Sequence, residues 1–248
     1  MMINTTLKGD RHSQLPRVLV SNHVSEADVL PIAYLFPVRT VAMDYIRTTP
    51  VIGRICSVHD PIWIGQPENA QSTSRNMTLA EIATFKEKQR EMLRKAVLEG
   101  TAREDSSSVL IFPEGVLTSG RVAILRYQKF VFSLGLQVQP LAISRKPAWI
   151  QRHFFPVEVD TARASFIANV LWLYFLPRGQ YQIVLLKPME RGEKESPAAF
   201  ADRVQVATAA ELGLIPSCWG NREKNSFFTR DLGKFLDAGW ERDYFLPP

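Results

Sequence analysis

Twice in this chain a short, unbroken apolar run is cut off by residues that cannot extend it, and each break carries a reactive side chain. The first run, Val18-Leu19-Val20, stops at Ser21-Asn22 and is followed by His23. The second, Val109-Leu110-Ile111-Phe112, stops at Pro113 and is followed by Glu114 and Gly115. A run of β-formers with no polar alternation suits a strand covered on both faces, as in the sheets of α/β domains. Binding sites of such sheets collect at the carboxyl ends of their strands. Either break alone is ordinary turn chemistry, because Pro, Gly, Ser and Asn punctuate many loops. The pair is far less expected by chance than either piece.

The remaining pattern completes an α/β reading. Asp28 opens an apolar helical segment that ends at Phe36, before Pro37. "VRTVAM" (38–43) predicts a second strand, and "PVIGRICSVHDPIWI" a short helix or turn, then a strand near 61–64. Residues 66–76 are polar and turn-rich, a surface loop. From Thr78 to Gly100, Leu79, Ile82, Phe85, Met92, Leu93, Ala96 and Val97 recur at helical spacing. "VQPLAI" (138–143) and "YQIVLLK" (181–187) supply further strands. Ser196 followed by Pro197 predicts a helix start, its apolar face running through Phe200, Val204, Ala207 and Leu212 to Gly213. Strands alternating with helices give an α/β domain. Its expected extent is 1–192, with 193–248 a helical C-terminal extension and tail.

Composition narrows the function class. The chain has 248 residues, 46% of them hydrophobic, which supports a sizeable core. A net charge of +5 suits a phosphate-bearing ligand or an anionic lipid surface, and nothing points to nucleic acid. Two distant cysteines, Cys56 and Cys218, allow neither a disulfide framework nor a CxxC zinc site. The polar start carries no apolar core of a secretory signal. The charge-free stretch "ASFIANVLWLYFLP" (164–177) falls short of the ~20 apolar residues a spanning helix needs. It reads either as a buried helix or as a monotopic membrane patch, with Trp172 and Tyr174 at headgroup depth.

Among the four histidines, His12, His59 and His153 have no evident partner and read as structural. His23 differs, because a strand–turn–helix corner can bring Asp28 back to it. A carboxylate on one ring nitrogen leaves the other free to take a proton, which is the pairing of a general base with its orienting group. No third ligand accompanies the pair at useful spacing, so no metal site is expected. A G-x-S-x-G elbow, which would mark a serine hydrolase, is missing from the sequence.

The ordered motifs Asn22-His23 with Asp28, then Phe112-Pro113-Glu114-Gly115, then 138–143, resemble the glycerolipid acyltransferase family over roughly residues 18–188. Within it the chain is most similar to the ancient ubiquitous protein branch, whose members occupy lipid droplets and the endoplasmic reticulum, and nearly as similar to the lysophosphatidylcholine acyltransferases. The resemblance implies a glycerol-3-phosphate acyltransferase-like α/β fold, a mixed central sheet flanked by helices, and acyl transfer from acyl-CoA, a co-substrate, to the hydroxyl of a lysophospholipid, with no cofactor. It implies His23 and Asp28 as catalytic residues. Glu114, Gly115, Asn22 and Pro113 would serve the acceptor, and Arg47 and Arg54 are candidates for its phosphate. It also implies a membrane partner, at the cytosolic face of the endoplasmic reticulum or of a lipid droplet. Val116-Leu117-Thr118 stand where many family members have Thr-Arg-Ser, and Gln66 stands where an arginine-like position is common. Both departures favour an acceptor whose phosphate is masked over a bare phosphomonoester. They also keep a second reading open, a catalytically silent scaffold of the same fold. The membrane-embedded helices that often precede the histidine are missing ahead of His23, which suggests either docking through 164–177 or a shortened chain.

Overall fold

The computed structural model describes residues 2–9, 17–25, 27–48, 52–64, 79–102, 107–146 and 178–221. Their centre is a mixed sheet of seven strands: β1 (Met2–Lys8), β2 (Val18–Ser21), β3 (Val38–Met43), β4 (Ile62–Ile64), β5 (Ser108–Ile111), β7 (Val138–Lys146) and β8 (Arg178–Leu185). The spatial order is β1-β8-β7-β2-β5-β3-β4. Every pairing is parallel except β7 with β8. A separate two-stranded parallel ribbon joins β6 (Ala123–Ile124) to β9 (Ile215–Pro216).

The unbroken apolar runs follow from burial on both faces. Side chains of a strand point alternately to opposite sides. On one side Val18, Val20 and Val138 pack with Phe132, Phe200 and Val204. On the other, Leu19, Leu110, Leu141 and Ile143 pack with Ile32 and Phe36. A third cluster joins Ile62 and Val109 to Val97 of helix Leu79–Ala102. With a core on each side, no position of β2 can be polar without losing hydrogen bonds to water.

Helix Pro197–Leu212 starts as its sequence requires. Ser196 accepts a hydrogen bond from the Ala199 N–H at 3.1 Å, proline occupies the first turn, and Gly213 closes the helix at φ 66°. Phe200 and Val204 of this helix are fully buried against Val18 and Val20. This helix, which lies in the expected 193–248 extension, covers one face of the sheet. Residues 222–248 of the expected tail lie outside the described residues, as do the 66–76 loop and the 164–177 stretch. The short helix and strand expected between 50 and 64 form at Ile52–Ser57 and Ile62–Ile64. Among the described residues, no helix is long and apolar enough to cross a membrane.

Candidate active site

Strands β2, β5, β3 and β4 run parallel, so their carboxyl ends share one edge of the sheet. The His23 corner and the Phe112–Gly115 bend both leave from that edge, on adjacent strands whose register pairs Val20 with Ile111.

Asn22 fixes how the chain leaves β2. Its side-chain amide donates to the Ile143 carbonyl at 2.9 Å and accepts from the Ile143 N–H at 2.8 Å. The amide thus continues the β2–β7 ladder one step beyond Ser21, in place of a peptide. The main chain is released to turn while the ladder stays satisfied. Both amide groups are engaged in this way and the residue is buried.

After Asn22, the carboxylate of Asp28 closes the turn. Its Oδ2 accepts from the Val24 N–H at 2.6 Å and the Ser25 N–H at 2.9 Å, and lies 3.0 Å from His23 Nδ1. A carboxylate there only accepts, so Nδ1 carries the proton and Nε2 holds the lone pair. Asp28 sits at the start of helix Val29–Leu35 but makes no capping bond to it; its side chain turns back to the histidine instead. The carboxylate is wholly buried, whereas the His23 side chain keeps 21% of its surface. The imidazole lies flat on Phe112, centroids 4.0 Å apart at 17°. The buried partner orients and the partly exposed ring faces outward.

Glu114 occupies the interior. It is 0% exposed; Oε1 accepts from the His23 N–H at 2.8 Å and Oε2 from the Leu125 N–H at 2.9 Å. The sequence reading turns this carboxylate toward the acceptor, whereas the structure turns both oxygens toward backbone N–H groups. Thr118 completes the junction: its N–H and its hydroxyl donate to the His23 carbonyl at 2.8 Å and 3.2 Å. Beneath the bend, burial and the adjacent Glu114 charge push the Tyr127 phenol above its ordinary value, so it stays neutral. Pro113 is buried and its carbonyl accepts from the Gln128 N–H at 2.8 Å. Gly115 is exposed at φ 71°, a backbone conformation that side-chain-bearing residues rarely adopt, so a substitution at this bend is strained.

Arg47 ends the short helix Asp44–Arg47 that follows β3. It therefore follows the carboxyl end of β3, which lies two strands from β2, about 10 Å at the usual strand spacing. Arg54 lies in helix Ile52–Ser57. Both are exposed, and among the described residues neither makes an ion pair or hydrogen bond. Among the described residues no group of three or more His, Cys, Asp or Glu could hold a metal ion.

This geometry agrees with what the chain matches. The family model described as "Acyltransferase" matches residues 3–144, more than half of the chain. The chain belongs to the glycerolipid acyltransferase family. Its relatives include the lipid droplet-regulating VLDL assembly factor AUP1 of Xenopus tropicalis, 33% identical over 57% of this chain and 33% of the relative. The human AUP1 is 36% identical over 46% of this chain and 26% of its own length. Mouse glycerol-3-phosphate acyltransferase 4 is 27% identical over 53% of this chain and 28% of its own length. These matches span about a third or less of each relative. The solved structure of the 1-acyl-sn-glycerophosphate acyltransferase PlsC from Thermotoga maritima aligns over 96% of this chain and 74% of that one, at 14% identity and a TM-score of 0.48.

The family match ends at residue 144, yet β8 and helix Pro197–Leu212 complete the sheet and the core of this family member. Sequence reading passed over Leu125 and Tyr127, and named Thr118 only as a departure from the family pattern. Only Thr118 left a signal, as a β-branched hydroxyl residue shortly after the Pro-Glu-Gly bend. The other two are recognisable only once the loop is folded.

Proposed function

We propose that this chain is an acyl-CoA-dependent O-acyltransferase acting on the free hydroxyl of a lysophospholipid, of the 1-acylglycerol-3-phosphate or lysophosphatidylcholine kind, with His23 as general base. The observation that carries the reading is the His23–Asp28 pair: Nδ1 held at 3.0 Å by a buried carboxylate on a partly exposed ring, at the carboxyl edge of parallel strands. In this mechanism His23 Nε2 takes the proton of the acceptor hydroxyl as that oxygen attacks the thioester carbonyl carbon. The carbonyl–sulfur bond breaks, coenzyme A leaves as thiolate, and the proton on the imidazolium returns to the sulfur. The products are the new ester and the free thiol. Asp28 stabilises the transient imidazolium and keeps Nε2 pointed outward. Arg47 and Arg54 are the cations proposed to meet the acceptor phosphate, by the forked hydrogen bonds a guanidinium offers. The exposed backbone of Gly115 and the adjoining Pro113 would border the glycerol portion.

The test is transfer of labelled acyl groups from acyl-CoA to a panel of lysophospholipids by the purified full chain, read as diacyl product and free thiol. His23→Ala should lose about 10²–10⁴ in rate with the fold retained by circular dichroism. Equal activity in that variant defeats the reading.

One observation favours a second function. The AUP1 proteins among the relatives are named for lipid-droplet regulation and VLDL assembly, and Val116-Leu117-Thr118 stand in place of Thr-Arg-Ser. A silent acyltransferase-like scaffold at a lipid droplet or endoplasmic reticulum membrane fits both facts. A panel with no turnover, from protein that still binds lipid droplets, would establish it.

A further inference from the structure

Glu114 raises a question that acyl transfer alone does not answer. A carboxylate placed to grip a polyol should keep an oxygen toward the ligand, and this one is 0% exposed. Its two oxygens instead accept from the N–H groups of His23 at 2.8 Å and Leu125 at 2.9 Å. A buried carboxylate is tolerated only where hydrogen bonds replace its lost water, and here backbone donors do so.

The other side of the same residue is held as firmly. The His23 carbonyl accepts from the Thr118 N–H at 2.8 Å and from the Thr118 hydroxyl at 3.2 Å. Phe112 supports the ring face at 4.0 Å. The loop after β5 therefore grips the N–H, the carbonyl and the imidazole plane of one residue in the corner that follows β2. We infer that Glu114 and Thr118 are positioning residues, which clamp the backbone of His23 from both sides and fix where Nε2 points, and that the Glu114 carboxylate does not hold the acceptor.

This inference rests on the reading of His23 as the base. Its signature is a loss in kcat with little change in the acceptor KM, because a tilted base impairs the reaction without removing a substrate contact. Glu114→Gln is close in shape but presents an NH₂ to one of two backbone donors, so one grip is lost. Thr118→Val keeps the backbone bond and loses only the hydroxyl, and Thr118→Ser keeps both.

The experiment combines steady-state acyl transfer by the 248-residue chain with ¹⁵N NMR of its histidines, which reports the tautomer of the His23 ring. Glu114→Gln should lower kcat at least about tenfold with KM nearly unchanged, and the Nδ1–H tautomer should give way to a mixture. Thr118→Val should lower kcat about threefold, and Thr118→Ser should restore it. A Glu114→Gln protein with raised KM and native kcat would make Glu114 a substrate ligand and overturn the inference. So would a native tautomer in both Glu114→Gln and Thr118→Val. If Glu114→Gln fails to fold, the contrast between Val and Ser at position 118 decides. If the unmodified chain transfers no acyl group, the reaction assignment fails by itself. The NMR comparison then still upholds the clamp when the variants disturb the tautomer, and rejects it when they do not.

Discussion

At residue scale, His23 depends on how its partner is spent. Asp28 Oδ2 accepts two backbone N–H groups as well as facing Nδ1, so one oxygen both shapes the turn and orients the base. Asp28→Asn separates these duties. An amide oxygen can keep the bonds from Val24 and Ser25, but it carries no charge to stabilise an imidazolium. We expect the folded variant to lose about 10²–10⁴ in kcat at neutral pH, measured by acyl transfer beside circular dichroism. Full activity would mean that the carboxylate serves the turn alone. The His23–Asp28 pairing was legible from five-residue spacing at a strand end. The orientation of Glu114 was not: a carboxylate at a Pro-Glu-Gly bend can face solvent or interior, and only its folded partners, His23 91 residues away and Leu125 11 residues on, choose between them.

At the scale of elements, apolar runs fixed by burial on both faces were readable, and elements fixed by partners far along the chain were not. β2, β5 and β7 begin or end within a residue or three of their expected limits. β1 went unseen because four of the seven residues of "MINTTLK" are polar, and its strand state comes from a parallel pairing with Arg178 to Val184. Helix Pro197–Leu212 was legible as a helix, but its place in the core was not, since periodicity does not name the surface an apolar face will cover. Its start is tied down by Arg203, which donates to both oxygens of Glu195 at 2.9 Å and 2.8 Å and to the Glu190 carbonyl at 2.7 Å. The Arg203 hydrogen bonds foremost, then the Gly192 N–H, pull the Glu195 carboxyl from 4.5 to about 2. A folded value below the unfolded one gives stability that is present above pH 4.5 and lost as pH falls toward about 2. Arg203→Met should therefore melt below the native chain at neutral pH, by a small margin because the pair is on the surface, and the gap should close through that acid window. Thermal melts of both proteins across pH check this; a gap independent of pH would assign the loss to packing of Arg203 over the Phe200 ring, 4.9 Å away, instead.

At the scale of the whole molecule, the arrangement of strands sets which edge could meet a membrane. β7 runs parallel to β2 and ends at Lys146, and the antiparallel β8 begins at Arg178. Both described flanks of residues 147–177 thus lie at the edge of the sheet from which His23 departs. The described chain leaves the sheet after Lys146 and rejoins it at Arg178 on that edge, which is where a bilayer-resident acceptor would have to arrive. We propose that the charge-free 164–177 stretch, helped by the net charge of +5, docks peripherally on anionic lipid. Replacing Leu171 and Trp172 with Asp removes two apolar side chains from such a contact. At ~1.5–3 kcal/mol for each buried side chain, binding to anionic liposomes should fall by about 10²–10⁴. Flotation of the native chain and of the double variant, at low and high salt, measures it. Native flotation by a folded double variant would assign 164–177 to the core and leave the acceptor to reach His23 by another route.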